Sequence, residues 1–259
     1  MEKYKEYYRF HEISQFKCPR CDTGTLVGDE KNLSKKNTAE YENYQRAHGP
    51  DPEFASSRIS GVFDCSNSRC SESISFVAES RVSEEYEPDS RGSYDVDYVS
   101  MYRPLLFDPP IHIIGLSENY PKFVKKCLND CFKVFWIDPS SCGNRIRVAL
   151  EGLLTHFKVP RINVKKKTPK SLHERIEYFK KKYPKYNKYA DNLLAIKWLG
   201  NTASHRELSH NDVFKAFQIL DYVLEEIFNN RTEKIKELSK IIVDSKGKRT
   251  TKSHGKPPF

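Results

Sequence analysis

The chain has 259 residues, 37% of them hydrophobic and 31% charged, with seven cysteines and a formal net charge of +9. That length supports one large or two modest domains with a real core. No run of about eighteen apolar residues is present, which excludes a helical membrane span, and the charged, aromatic start MEKYKEYYRF does not read as a secretory signal. The cysteines are therefore expected in a reducing cytoplasm, where clustered thiols mean metal before disulfide. Charge is unevenly placed. Residues 1–110 carry 14 Lys and Arg against 20 Asp and Glu, and residues 111–259 carry 30 against 15, giving −6 and +15. Such asymmetry predicts two units and an anionic partner for the second.

Residues 1–16 form a short amphipathic lead-in. Cys18-Pro19-Arg20-Cys21 follows, with Gly24 allowing the tight turn after it. Two thiolates at this spacing grip one tetrahedral ion, and Cys65 and Cys70 supply a second, wider pair, so four sulfurs make a closed structural zinc site. The structural alternative is four unrelated buried thiols. Ile59 to Cys65 and Ile74 to Arg81 have strand composition, so residues 1–100 read as a small β zinc ribbon. Residues 28–57 read as a partly helical surface insertion in it. Residues 82–100 are acidic and read as a linker ending in a tyrosine-rich strand. The segment RPLLFDPPIHIIGL then lies extended along the next domain, because Asp108-Pro109-Pro110 forbids helix.

From residue 111 the apolar period is helical. Pro121 opens a helix whose stripe includes Cys127 and Cys131, which read as core thiols. A helix over about 141–157 presents Arg147 and Glu151 four residues apart, as a half-buried ion pair or as a phosphate-directed arginine held by a carboxylate. Residues 158–188 carry twelve Lys and Arg against Glu174 and Glu177. Lys165, Lys166 and Lys167 sit in a loop. Lys180, Lys181 and Lys182 end a helix that Ser171 and Glu174 begin as a capping box. Interleaved tyrosines suit a nucleic-acid strand by phosphate neutralisation and stacking; the plain alternative is a solvated lysine face. A helix over about 187–199 stops at Gly200-Asn201, with Gly200 as its C-cap. Ser209 and Asp212 cap the next helix, and two apolar stripes run to about Val243, broken at Asn229-Asn230. The fold class is thus mainly α: a helical bundle over 101–244 after the ribbon, and a basic, disordered tail at 245–259.

Three features together carry a resemblance: the Arg147–Glu151 helix, the motif KWLGNTASH from Lys197 to His205, and the SHNDV start of the following helix. With the ribbon and the FDPP segment, the chain resembles the domain-of-unknown-function family numbered 4145, itself similar to the HEPN superfamily of small helical bundles. The resemblance implies a HEPN-like bundle, frequent homodimerisation, and work in bacterial phage defence or restriction beside a partner protein. It also implies a metal-independent ribonuclease built on Arg-x(4–6)-His, where His moves protons and Arg steadies the phosphate. Asn201 and His205 match that motif; Gly200 stands at its arginine position, and Lys197, Arg206 or Arg147 could supply the cation. The expected function is a cytoplasmic, nucleic-acid-associated accessory or effector protein, binding RNA ahead of DNA. The alternatives are a non-enzymatic dimerisation or interaction module and a HEPN-type ribonuclease.

Overall fold

A computed structural model describes residues 4–88, 94–163, 165, 167–202 and 206–247. The chain is a mixed α/β fold, an antiparallel sheet lobe followed by a helical lobe, rather than the mainly α arrangement expected. The difference lies in residues 73–108. An acidic, tyrosine-rich composition made 82–100 look like a linker, yet β4 (Ser73–Pro88) and β5 (Tyr94–Asp108) pair antiparallel along their whole length. The pairs of 82–100 lie within that stretch itself, as in Glu84↔Tyr98 and Tyr86↔Val96, but the arm meets water and no buried apolar face marks its strands among the described residues.

The sheet is built on β3 (Ser56–Cys65), which pairs with β4 from Ser56↔Arg81 to Asp64↔Ser73. Its other edge takes two short strands, β1 (Leu26–Val27) and β2 (Ser34–Asn37). Strand alternation turns Ile59, Phe63 and Cys65 inward, opposite Ile74, Phe76 and Ala78 of β4. Beyond Arg81, β4 pairs only with β5 among the described residues, so Val82–Pro88 and Tyr94–Ser100 form a two-stranded arm. β5 is an edge strand, which is why Pro104, lacking an N–H, is tolerated there beside a register shift. The stretch 28–57 holds α2 (Ala39–His48), capped by the Thr38 hydroxyl, and also supplies β2 and the first residues of β3 to the sheet. A one-turn helix, α1 (Phe10–Ile13), precedes the sheet.

The helical lobe contains α3 (Lys122–Phe135), α4 (Pro139–His156), α5 (Leu172–Lys182), α6 (Ala190–Thr202), α7 (His210–Leu224) and α8 (Arg231–Asp244). Two of them start at the capping boxes that the sequence predicts, and α4 starts two residues earlier than expected. Asp138 caps α4 through the Ser141 N–H, and Ser171–Glu174 and Ser209–Asp212 both close as reciprocal boxes. A short hairpin of β6 (Ile162–Asn163) and β7 (Thr168–Pro169), which no sequence signal announced, joins α4 to α5. Asn230, in a left-handed conformation, turns the chain into α8, which buries none of its side chains.

One continuous buried cluster runs through both lobes. Trp136, at the end of α3, is its hinge-point: its ring lies 5.3–5.9 Å from those of Tyr8, Phe16 and Phe107 on the sheet side and 5.1 Å from Phe135. Burying these aromatics is worth roughly 2–3 kcal/mol each, so the sheet lobe is fixed to the helices rather than tethered. Cys127, Cys131 and Cys142 are all buried within the bundle, as core thiols.

Candidate functional site

The four thiols of Cys18, Cys21, Cys65 and Cys70 converge, with all their Sγ atoms within 4.8 Å of one another. Cys18 Sγ is 3.8 Å from Cys70 Sγ, and Cys21 Sγ is 3.6 Å from Cys65 Sγ. Ligands about 2.3 Å from a tetrahedral centre stand about 3.8 Å apart, so the set fits a metal ion.

The backbone builds two matched knuckles. The Cys18 N–H donates to the Gly24 carbonyl and the Cys65 N–H to the Glu72 carbonyl, both at 2.8 Å. The residue after each second cysteine, Asp22 (φ 53) and Ser71 (φ 51), takes the left-handed turn that closes the loop. Ser66 and Thr25 tie the loops together: the Ser66 N–H donates to the Thr25 carbonyl at 2.9 Å, and the Thr25 N–H to the Ser66 hydroxyl at 2.8 Å. N–H donors then point at sulfur: Gly24 to Cys21 and Asn67 to Cys65 at 3.3 and 3.4 Å. The Thr23 hydroxyl, with the Gly24 amide, draws the Cys21 thiol down to about 5, while burial pushes Cys65 up to about 12. A bound cation would favour the thiolate at every position. Gly24 is not a conformational necessity here. A Cβ at this position would stand 2.5 Å from Cys65 Sγ, so glycine is required by close approach.

The helical lobe places the other expected residues in three ways. Arg147, on α4, reaches α6: its Nη1 donates to Asn201 Oδ1 at 3.2 Å, and its Nε lies 3.5 Å from Glu151 Oε1. Gly200 makes this possible. It lies inside α6 rather than capping it, and a Cβ there would come within 3.1 Å of Arg147 Cβ and 3.4 Å of the Gly143 carbonyl. Lys197 is turned elsewhere, its Nζ 3.5 Å from the Trp198 ring centroid. His205 lies outside the described residues. The second histidine of this corner, His210, is a core group: its Nε2 is 3.1 Å from the Trp136 carbonyl oxygen, its ring packs on Phe135, and burial holds it below the usual imidazole range.

Lys165, Lys167, Lys180, Lys181 and Lys182 are all exposed; Lys166 lies outside the described residues. The two runs stand at opposite ends of α5, which spans about 16 Å at 1.5 Å per residue. The tyrosines between them do not form open stacking platforms. Tyr178, Tyr183 and Tyr186 are half-buried against the core, and lysines cover several of them, with Lys170 4.7 Å and Lys182 5.8 Å from the Tyr178 ring centre. The face therefore offers charge to a strand, not rings. Sequence reasoning missed Arg175, a buried guanidinium of α5 that donates to the Glu151 carbonyl and the Thr155 hydroxyl. Inside a run of twelve cations it had no distinguishing signal.

Fold and site together define a class: a sheet lobe carrying a four-thiol, metal-compatible centre, packed on a helical lobe with a basic face. No described helix is long and apolar enough to cross a membrane. Residues 129–242 match the family model described as Domain of unknown function (DUF4145), in agreement with the resemblance seen in the sequence. Residues 6–107 match a second, Domain of unknown function (DUF8608), which ends one residue before β5 does. No curated protein and no solved structure matches the chain.

Proposed function

We propose that this is a cytoplasmic, nucleic-acid-associated accessory or effector protein of phage defence or restriction. Its HEPN-like helical lobe engages RNA, ahead of DNA, through the basic face around α5. The observation that carries this reading is charge segregation with exposure: +15 over residues 111–259, with both described lysine runs in solvent. The half-buried tyrosines favour phosphate contacts over base stacking, so binding is expected to be weakly sequence-selective. Cys18, Cys21, Cys65 and Cys70 would hold one zinc ion. With four protein ligands the ion supplies folding energy and no open coordination position for chemistry. The test is RNA binding by the full chain across salt concentrations, with Lys180, Lys181 and Lys182 replaced by Gln in a second protein. Affinity independent of both salt and these lysines would remove the reading.

A ribonuclease reading has one observation behind it: the cation absent at Gly200 arrives from α4, as Arg147 on Asn201. Cleavage of RNA in EDTA, lost in both His205→Ala and Arg147→Met, is its expected signature; activity that survives His205→Ala excludes it. Support for the dimerisation or partner-docking module comes from α8, where Ile235, Ile241 and Ile242 stand more than half exposed. Light scattering of Ile241→Glu/Ile242→Glu against the native chain reads that directly, with an unchanged mass counting against a homodimer through this helix.

A further inference from the structure

A cavity of about 440 Å³ opens between α4, the β6–β7 hairpin and the start of α5. Its charged lining is Arg147, Glu151, Arg161, Lys170 and Arg175. Four cations thus face one carboxylate, and that carboxylate is already approached by Arg147. The other two guanidiniums hydrogen-bond neutral oxygens, and the Glu151 charge reaches Arg175 through space without an ion pair. Arg175 is 4% exposed, and its Nη2 donates to Thr155 Oγ1 at 2.9 Å and to the Glu151 carbonyl at 3.2 Å. Arg161 donates to the same hydroxyl oxygen from Nε at 3.2 Å and Nη2 at 3.1 Å. Thr155 Oγ1 itself donates to the Glu151 carbonyl at 2.8 Å, so its hydrogen-bonding capacity is filled. Neither Arg161 nor Arg175 has an ion pair among the described residues, and the buried Arg175 Nε–H has no hydrogen-bond partner there.

Two like charges meeting on one neutral oxygen, one of them buried, is an arrangement that a fold does not gain from by itself. A doubly charged anion would repair it, because guanidinium forks match phosphate oxygens in pairs. We propose that this cavity is a phosphate-binding site, with Arg161 and Arg175 as the principal donors and Lys170 at its rim. The hairpin places it with respect to the lysine turn: the Lys170 N–H donates to the Arg161 carbonyl at 2.8 Å, so both cations stand at the base of the hairpin whose tip carries Lys165 and Lys167. The exposed ring of Phe123, packed where Gly152 leaves room, gives the cavity one apolar wall. The phosphate could be free in solution or belong to a nucleic-acid strand led in by the lysine turn; the latter source rests on the function proposed above.

The experiment uses the full chain and three probes at constant ionic strength: inorganic phosphate, a 5′-phosphorylated oligoribonucleotide and its 5′-hydroxyl counterpart. The thermal midpoint should rise with phosphate and not with chloride, since a ligand that binds only the folded state stabilises it. Arg161→Gln, at an exposed position, should weaken phosphate binding about tenfold or more. Arg175→Met removes the buried charge and should abolish the phosphate response while the midpoint without ligand stays level or rises. Tighter binding of the phosphorylated oligonucleotide assigns the site to strand ends, and equal binding of both, weakened alike by Arg161→Gln, assigns it to internal phosphates. A native protein that binds phosphate but neither oligonucleotide keeps the cavity and removes the nucleic-acid reading. A native protein that shows no phosphate response, or an Arg161→Gln protein indistinguishable from it with every probe, overturns the cavity proposal.

Discussion

Gly24→Ala should damage the four-thiol centre while leaving every ligand in place. The new Cβ would stand 2.5 Å from Cys65 Sγ and 3.0 Å from the Asn67 amide nitrogen. That is about 1 Å inside van der Waals contact, whereas metal–sulfur distances tolerate shifts of about 0.2 Å. Cys65 Sγ cannot rotate away without leaving Cys21 Sγ, 3.6 Å distant, and the backbone nitrogen of Asn67 is not a flexible chain end. Overpacking of this kind costs about 1–3 kcal/mol. At about 1.4 kcal/mol per factor of ten, zinc affinity should fall roughly fivefold to 150-fold. Competition against a chromogenic chelator measures it, with thermal melts in the presence and absence of chelator as a second readout. Native-like zinc affinity in Gly24→Ala would refute the argument from close approach. Loss of metal response in Cys18→Ser or Cys65→Ser, by contrast, follows from ligand removal alone.

Gly49→Ala provides the complementary case: φ is +88 and a Cβ there would meet nothing within 4 Å, so the cost is backbone strain of about 1–3 kcal/mol with zinc affinity unchanged. His210 is buried, and desolvation, opposed by its bond to the Trp136 carbonyl, lowers its folded-state pKa beneath the ordinary 6.5. The unfolded chain then binds the proton more readily, so stability should be intact above pH 6.5 and fall on acidification towards the folded pKa, by up to about 1.4 kcal/mol per pH unit. Denaturant midpoints of native protein and His210→Gln, compared from about pH 7.5 to 5.5, should converge as pH falls; parallel curves would contradict the assignment. Replacing Lys180, Lys181 and Lys182 by Gln should reduce the slope of log affinity for single-stranded RNA against log salt by about 2, at roughly 0.7 per phosphate contact. Asp138→Ala should cost about 1 kcal/mol in a thermal melt, from loss of the α4 cap.

What the sequence determined by itself was local chemistry. Cys18, Cys21, Cys65 and Cys70 were legible as a converging, metal-compatible thiol set because thiol spacing is read along the chain. The boxes at Ser171 and Ser209 were legible because a cap satisfies backbone groups three residues away, and the Asn230 break because asparagine tolerates the left-handed conformation. The buried stripe of α3, with its two cysteines, followed from a period of 3.6. Tertiary structure decided everything that depends on a distant partner. The acidic stretch before Ser100 folded back on itself as a two-stranded arm, Val82–Pro88 against Tyr94–Ser100, in the register set where β4 is also held by β3. Gly200 read as a helix end and proved to be a contact surface, since only α4 crossing α6 brings Arg147 against it. Gly24 read as a turn and proved to be clearance for the sulfur of Cys65, far along the chain. Arg175 was one of twelve cations within 158–188, and packing of α5 on α4 alone distinguished it, by withdrawing its charge from water and leaving its Nε–H without a hydrogen-bond partner among the described residues.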